Sequence, residues 1–397
     1  MHRFHPRFTN VMLHPMIRRA LAGTPFVLTA LALSACAPIN VERSTTAAKP
    51  APVRHVFLIV LENESYATTF SPNTKAPYLA DSLTRAGAFL TQYYGTGHSS
   101  LDNYISMISG IAPTPATQAD CGRFSEFVET GIAPDGQPIG AGCVYPAHVP
   151  TIANQLADAH LTWKAYMEGM GNDPGRESAT CAHPAIGARD ETSRATATDR
   201  YATKHNPFMY FHSVIDSPSC DSNVVALTKF QADLASASTT ANYNFITPDL
   251  CHDGHNAPCK NGEPGGLVSA DAFLAHWVPI IMQSPAYRES GMIIITFDEA
   301  ASIDASACCN EPSGPNTNLP GAHGPGGGRI GAVVLSPFVE PGTVSNVPYN
   351  HYSMLRSIED LFGLGHIGYA AQAGLVPFGS DVYTRNPAAT SAAPGHR

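Results

Sequence analysis

Glu62 and Asn63 directly follow the apolar run HVFLIVL (His55–Leu61), and Asp298 and Glu299 directly follow the apolar run GMIIITF (Gly291–Phe297). Either pair alone reads as solvated turn acids. Two pairs at the ends of two such runs, if they converge, make a site for a hard cation. A third group, PDLCHDGHN, brings Asp249, His252, Asp253 and His255 together just after the run YNFIT (Tyr243–Thr247). His323 stands in GAHGPGGGRIG, whose glycines let backbone approach a ligand closely. Carboxylates with imidazoles suit zinc, manganese or iron, and carboxylates alone suit magnesium or calcium.

The stretch GTGHSSLDNYISMISG (Gly95–Gly110) places His98, Ser99 and Ser100 before a short helix-like segment. Adjacent hydroxyls at a helix start are ordinary capping residues. They also stand in the positive end-field of the helix, next to unpaired N–H groups that favour a phosphate. Capping and nucleophilic catalysis are both open readings of the two serines.

These residues need a scaffold that gathers strand ends. His55–Leu61, Tyr243–Thr247, Gly291–Phe297 and IGAVVLS (Ile330–Ser336) are apolar on both faces, as strands of a sheet covered on both sides must be. Between them VPTIANQLADAH, NVVALTKFQADLAS, SADAFLAHWVPIIMQS and NHYSMLRSIEDLFGLG have helical spacing. Ser269 is the expected cap of the third. Asn350 or Ser353 starts the fourth, and Gly363 stops it. Alternating strands and helices predict a doubly wound α/β fold, with a mostly parallel sheet and helices on both faces. In such sheets ligands bind beyond the carboxyl ends of the strands, where these acids lie.

Arg18 and Arg19 precede ALAGTPFVLTALALSAC, an apolar run with small residues before a cleavage point, which reads as a secretory signal over 1–36. It is too short for a spanning helix. LSAC (Leu33–Cys36) resembles a lipobox, which predicts lipid anchoring at Cys36, and Ala37 then favours the outer membrane; a plain signal peptide is the alternative. Met16 is a second candidate start. Residues 37–52 read as a flexible tether, 53–385 as a single catalytic domain and 386–397 as a disordered tail. With 23 Lys+Arg and a formal net charge of −9, no basic stripe is present to neutralise phosphates, so a nucleic-acid partner is not expected. Membrane contact is expected only through the N-terminal anchor, and the oligomeric state is open.

Eight cysteines follow Cys36, an even number that suggests disulfides in an exported protein. Local pairing favours Cys121–Cys143, Cys181–Cys220 and Cys251–Cys259. Cys308 and Cys309 are then a vicinal pair or partners elsewhere, and their spacing is not that of a structural zinc site.

HVFLIVLENESY, GHSSLDNYISMISG, KHNPFMYF, PDLCHDGHN, IITFDEA, HGPGGGRIGAVVLSPFV and NHYSMLRSIEDLFGL occur in this order from His55 to Leu364. Together they resemble the bacterial and fungal phosphoesterase family of acid phosphatases and non-haemolytic phospholipases C, in the alkaline phosphatase superfamily. The resemblance implies an alkaline phosphatase-like fold with Ser100 at the nucleophile and Asn103 at the phosphate-binding asparagine. It implies Glu62, Asn63, Asp253, Asp298 and Glu299 as metal ligands, and His98 and His255 as catalytic histidines. Lys204, His205 and His323 are implied as substrate-binding residues. Asp253 stands where two-metal relatives carry the histidine of an Asp-x-x-x-His pair, so one divalent ion is expected, of open identity among zinc, manganese, magnesium and calcium.

The expected activity is metal-dependent hydrolysis of a small phosphoester or a phospholipid through a phosphoserine. An acid phosphatase-like phosphomonoesterase is the first reading and a phospholipase C-type phosphodiesterase the alternative, with a non-catalytic metal-binding lipoprotein third. No G-x-S-x-G elbow supports a serine acyl hydrolase.

Overall fold

A computed structural model of the chain describes residues 52–385. The expected signal with Cys36, all but the last residue of the tether and the C-terminal tail lie outside the described residues.

Eight strands form the main sheet: β1 His55–Leu61, β2 Ala88–Leu90, β3 Trp163–Met167, β4 Val224–Ala226, β5 Tyr243–Thr247, β6 Gly291–Phe297, β7 Ala332–Leu335 and β8 Thr343–Ser345. Their spatial order is β8-β2-β7-β6-β1-β5-β3-β4. β1 lies at the centre, parallel to β5 on one side and to β6 on the other. β3 is parallel to β5 and β4, and β8 is parallel to β2. β7 alone runs antiparallel to both of its neighbours. The sheet is therefore mostly parallel and the fold is α/β, as the apolar runs require. Every residue of β1, β5 and β6 is buried, so both faces of the central strands are covered.

Four helices matter for the site or for its support: α1 Ser100–Ser109, α2 Ile152–Asp158, α3 Gly266–Gln283 and α4 His351–Phe362. α2 starts at a Thr151–Asn154 capping box. α4 is capped by Asn350, whose Oδ1 accepts the Ser353 N–H at 2.9 Å, and it stops at Gly363 with φ 68°. Of the two expected starts, Asn350 is the cap. α4 packs against α1 and buries much of its length doing so.

Two expected helices need correction. NVVALTKFQADLAS is not one helix: Asn223 ends a helical turn from Cys220, Val224–Ala226 pairs in parallel with β3, and helical turns resume only afterwards. The β-branched Val224 and Val225 suit an edge strand better than a helix. α3 starts one turn before Ser269, at Gly266. Ser269 lies inside the helix, where its Oγ accepts the Gly265 N–H at 2.9 Å.

The eight cysteines form Cys121–Cys143, Cys181–Cys220, Cys251–Cys259 and the vicinal pair Cys308–Cys309. Among the described residues no helix is long and apolar enough to cross a membrane.

Candidate active site

β1, β5 and β6 are adjacent and parallel, so their carboxyl ends share one edge of the sheet. Glu62 leaves β1, Asp298 leaves β6, and the chain after β5 leads to Asp253. Backbone hydrogen bonds join these exits. The Glu62 N–H donates to Asp253 O at 2.7 Å, and the Asp298 N–H donates to Leu61 O at 2.8 Å. All three carboxylates are fully buried, and Glu299 is 3% exposed.

Asn63 turns the chain with φ 60°, a left-handed geometry that asparagine tolerates. Its N–H donates to Asp298 Oδ1 at 2.9 Å and its Nδ2 donates to Glu299 Oε1 at 3.0 Å. The other Glu299 oxygen faces His98 Nδ1, and His98 Nε2 lies 3.0 Å from Asp304 O. His205 Nε2 lies 2.8 Å from Glu62 Oε1, and His205 Nδ1 lies 4.0 Å from Asp253 Oδ2. The imidazole is stacked on Tyr104, with ring centroids 5.1 Å apart. His255, about half exposed, brings Nδ1 to 3.2 Å from Glu62 Oε2.

Three of these buried atoms have no partner within hydrogen-bond distance: Asp253 Oδ2, Asp298 Oδ2 and His205 Nδ1. Burial, with the charges of Glu62 and Glu299, pushes Asp298 well above the usual carboxylate range. Burial and Glu62 push Asp253 up to about 7. Burial raises Glu299 against the opposing pull of His98. Burial would raise Glu62 too, but His205 and Lys204 outweigh it and hold Glu62 well below its ordinary value. A buried, uncompensated carboxylate costs several kcal/mol. Such a cluster needs protons or a cation. Glu62, His205 and Asp253 offer ligand atoms all within 4.8 Å of one another, a set of two carboxylates and an imidazole that fits a divalent ion.

A second group, Asp249, Cys251 and His252, is equally compact but already engaged. Cys251 is bonded to Cys259, Asp249 Oδ2 accepts from Arg200 Nε at 2.7 Å, and His252 lies between Glu168 and Glu263.

α1 begins beside the carboxylates. The Gly95 N–H donates to Gly328 O and Gly95 O accepts the Gly327 N–H of the glycine-rich loop, at 2.9 and 3.0 Å, and the His98 N–H donates to Pro320 O at 3.2 Å. A Cβ on Gly327 would stand 2.3 Å from Gly97 O, so the two loops meet only because that position is glycine. Ser99 holds the N-cap position without a side-chain cap bond; its Oγ donates to Gln118 O at 3.3 Å. Ser100, the first residue of α1, is 1% exposed. Lys204 Nζ lies 3.4 Å from Ser100 Oγ and 2.9 Å from Asp120 Oδ2. Burial would lower the ammonium's pKa, but Glu62 and Asp120 raise it, so Lys204 keeps its charge.

One cleft of about 310 Å³ gathers Asn63, His98, Ser99, Ser100, Asp120, Lys204, His255, Glu299, Ser302, Ala322 and His323. Besides the two serines, six residues singled out in the sequence therefore line it: Asn63, His98, Lys204, His255, Glu299 and His323. Glu62, Asp253, Asp298 and His205 form the buried floor described above.

Asn103 is placed elsewhere. Its Oδ1 accepts from Thr96 N, Thr96 Oγ1 and Gly97 N at 2.8, 3.2 and 2.9 Å. Its Nδ2 donates to Gly97 O, Ser99 O and Asp102 Oδ1 at 2.9, 3.0 and 3.1 Å. The expected phosphate contact is not available to an amide so used; Asn103 ties the loop that carries Ser99 and Ser100. His205, expected to bind substrate, stands with the candidate metal ligands. His98, with both ring nitrogens facing carboxylate or carbonyl oxygens, orients Glu299. Asp120 was not singled out in the sequence, and a lone Asp before Cys121 carries no pattern that would mark it.

The phosphoesterase family model matches residues 68–365. A probable acid phosphatase of Kluyveromyces lactis is 24% identical over 335 residues, covering 84% of this chain and 64% of its own. A phosphatidylinositol-3-phosphatase of Mycobacterium tuberculosis is 23% identical over 319 residues, covering 80% of each chain. The chain spans 51% to 64% of the length of three fungal acid phosphatases it matches. Among solved structures, a protein in the alkaline phosphatase superfamily from Vibrio parahaemolyticus superposes with a TM-score of 0.46 at 13% identity, covering 80% of this chain and 69% of that one. With the family model matched over most of its length, the chain belongs to the phosphoesterase family.

Proposed function

We propose that this protein is an exported phosphoric ester hydrolase, acting on phosphomonoesters through a phosphoserine formed on Ser100, with one divalent cation held on the floor of the cleft. The observation that carries the reading is the position of Ser100 Oγ, at the start of a helix and 3.4 Å from a charged Lys204 ammonium, beside the carboxylate floor. The acid phosphatases and the phosphatidylinositol-3-phosphatase among its relatives support the substrate class.

Glu62, Asp253 and His205 are the residues to hold the ion, with Asp298 and Glu299 beside them. When bound, the ion supplies Lewis-acid stabilisation of phosphoryl charge. The chain's own groups do the rest. The N-terminus of α1 and the Lys204 ammonium attract the anionic phosphoryl group. The same ammonium favours the alkoxide form of Ser100 Oγ for in-line attack on phosphorus. The Asn103 network fixes the serine's loop, and His98 holds Glu299 in place. The His255 imidazole presents Nδ1 to Glu62, and its Nε2 has no hydrogen bond to the described residues, so Nε2 is the donor we assign to the leaving alcohol oxygen. Water then attacks the phosphoserine, giving its proton back to His255 Nε2, so that inorganic phosphate leaves and Ser100 is regenerated.

The test is a hydrolysis panel of p-nitrophenyl phosphate, its bis-ester, p-nitrophenylphosphorylcholine and p-nitrophenyl sulfate, with and without chelator. Chelator-sensitive turnover of the monoester is expected. Preference for the choline diester would replace the reading with a phospholipase C, and turnover of none would remove the enzymatic reading.

A further inference from the structure

Asp120 sits at the end of the turn Thr117–Ala119, with its N–H donating to Thr117 O at 2.9 Å. Its φ of 51° and that of the next residue, Cys121, at 46°, turn the chain sharply, and Cys121 is tied to Cys143. The turn is thus fixed on both sides, and the Asp120 side chain projects into the cleft.

Both carboxylate oxygens are used there. Oδ1 accepts the Leu101 N–H at 3.2 Å, one of the free backbone donors at the start of α1. Oδ2 accepts from Lys204 Nζ at 2.9 Å. Those two donors flank Ser100 and are the ones a phosphoryl oxygen would seek. A carboxylate of this chain therefore takes two of the anion donors of the site.

We propose that Asp120 is a positioning residue with two linked effects: it holds the Lys204 ammonium beside Ser100 Oγ, and it competes with phosphate for Lys204 and the Leu101 N–H. The first effect keeps Lys204, a long flexible side chain, in register with the nucleophile. The second weakens the hold of the cleft on inorganic phosphate, the product, and so favours its release. A purely structural residue would do neither selectively. The proposal rests on the phosphoester hydrolase reading only for its kinetic half; the competition for anion donors stands on geometry alone.

Asp120→Asn keeps the size and the hydrogen-bonding oxygen but removes the charge. Steady-state kinetics on p-nitrophenyl phosphate should show kcat falling about 100-fold, the order expected for a misplaced reacting group. Inorganic phosphate, titrated calorimetrically into metal-loaded protein, should bind about 10-fold more tightly, equivalent to about 1.4 kcal/mol. Melting temperature and bound metal should match wild type. In Lys204→Met the effect of Asp120→Asn on phosphate binding should shrink, since the shared donor is gone. If Asp120→Asn melts early, Asp120→Glu replaces it. That variant keeps the charge but misplaces it, so kcat should fall while phosphate affinity stays at the wild-type value.

Phosphate binding unchanged or weaker in Asp120→Asn, or fully additive with Lys204→Met, overturns the proposal. Failure of the wild type to hydrolyse any phosphoester overturns the hydrolase reading instead, and the calorimetric comparison still decides the competition.

Discussion

Glu62 Oε1 and His205 Nε2 face each other at 2.8 Å on the floor of the cleft, both fully or almost fully buried. One comes from the end of β1 and the other from a turn far along the chain, before Pro207. With Asp253 they form a compact candidate ligand set for a cation.

That set predicts a specific pattern of metal loss. Glu62→Gln, His205→Ala and Asp253→Asn should each lower bound metal and activity together, by the same factor. Mass spectrometry of metal content beside initial rates checks this. Asp249→Asn should leave metal content unchanged, because Asp249 is paired with Arg200. Loss of metal in Asp249→Asn, with retention in Glu62→Gln, would move the site.

The two serines should separate clearly. Ser100→Ala should lose several orders of magnitude in kcat, as removal of a nucleophile does. Ser99→Ala should lose far less, since Ser99 Oγ makes only a long bond to Gln118 O. Acid-quenched reactions should carry phosphate on Ser100. Near-wild-type turnover by Ser100→Ala would refute the assignment.

Asn103→Ala should act through stability. It strands the buried Thr96 and Gly97 N–H groups, each at about 1–3 kcal/mol. A lower melting temperature is therefore expected alongside lower kcat. Were Asn103 a phosphate ligand instead, the variant would melt normally and bind phosphate weakly.

What was legible in the sequence follows from how each feature is encoded. β1, β5 and β6 carry unbroken apolar runs because they are central and covered on both faces, so they and the acids that follow them could be read directly. β2, β4 and β8 are three-residue strands near the sheet's edges, too short to establish a pattern. Val224–Ala226 was hidden by the helical spacing of the segment it opens. Ser100 could be placed by motif, but the use of Asn103 could not: an amide binding its own loop and one binding phosphate have the same sequence. Asp120 and the approach of His205 to Glu62 and Asp253 arise from tertiary structure alone.

His212 predicts a pH dependence of stability away from the cleft. Its ring nitrogens lie 2.8 Å from Glu126 Oε2 and 2.8 Å from Asp216 Oδ2. Burial would lower its pKa, but the two carboxylates raise it above the ordinary histidine value. A group with a raised folded-state pKa stabilises most below its unfolded pKa and loses that contribution as pH rises through the folded one. The pairs are partly exposed, so the effect is small, about 1 kcal/mol or less. The melting-temperature gap between wild type and His212→Gln should be present at pH 5–6 and gone well above the raised pKa. A gap independent of pH would show that packing, not charge, explains it.

Gly97 tests whether the serine's loop is sterically set. A Cβ there would stand 2.4 Å from Asp102 Oδ1, and Asp102 is fully buried with no room to yield. Its other oxygen already lacks a partner, and burial with the charges of Glu299 and Asp120 pushes the group well above its usual range. Gly97→Ala should therefore displace either Asp102 or the backbone that leads to Ser100. Strain of this kind typically costs about 1–3 kcal/mol. Activity should fall further than that loss of stability explains, because the Asn103 amide holds Gly97 and Ser99 together and transmits the shift to the nucleophile. Gly122→Ala is the control on the neighbouring wall: only Ala119 O lies within reach, at 3.9 Å, and its φ is ordinary. Wild-type kcat is expected for Gly122→Ala, and a sharp loss for Gly97→Ala measured at a temperature where both remain folded. Equal activity in the two variants would mean that the loop adjusts freely and does not position Ser100.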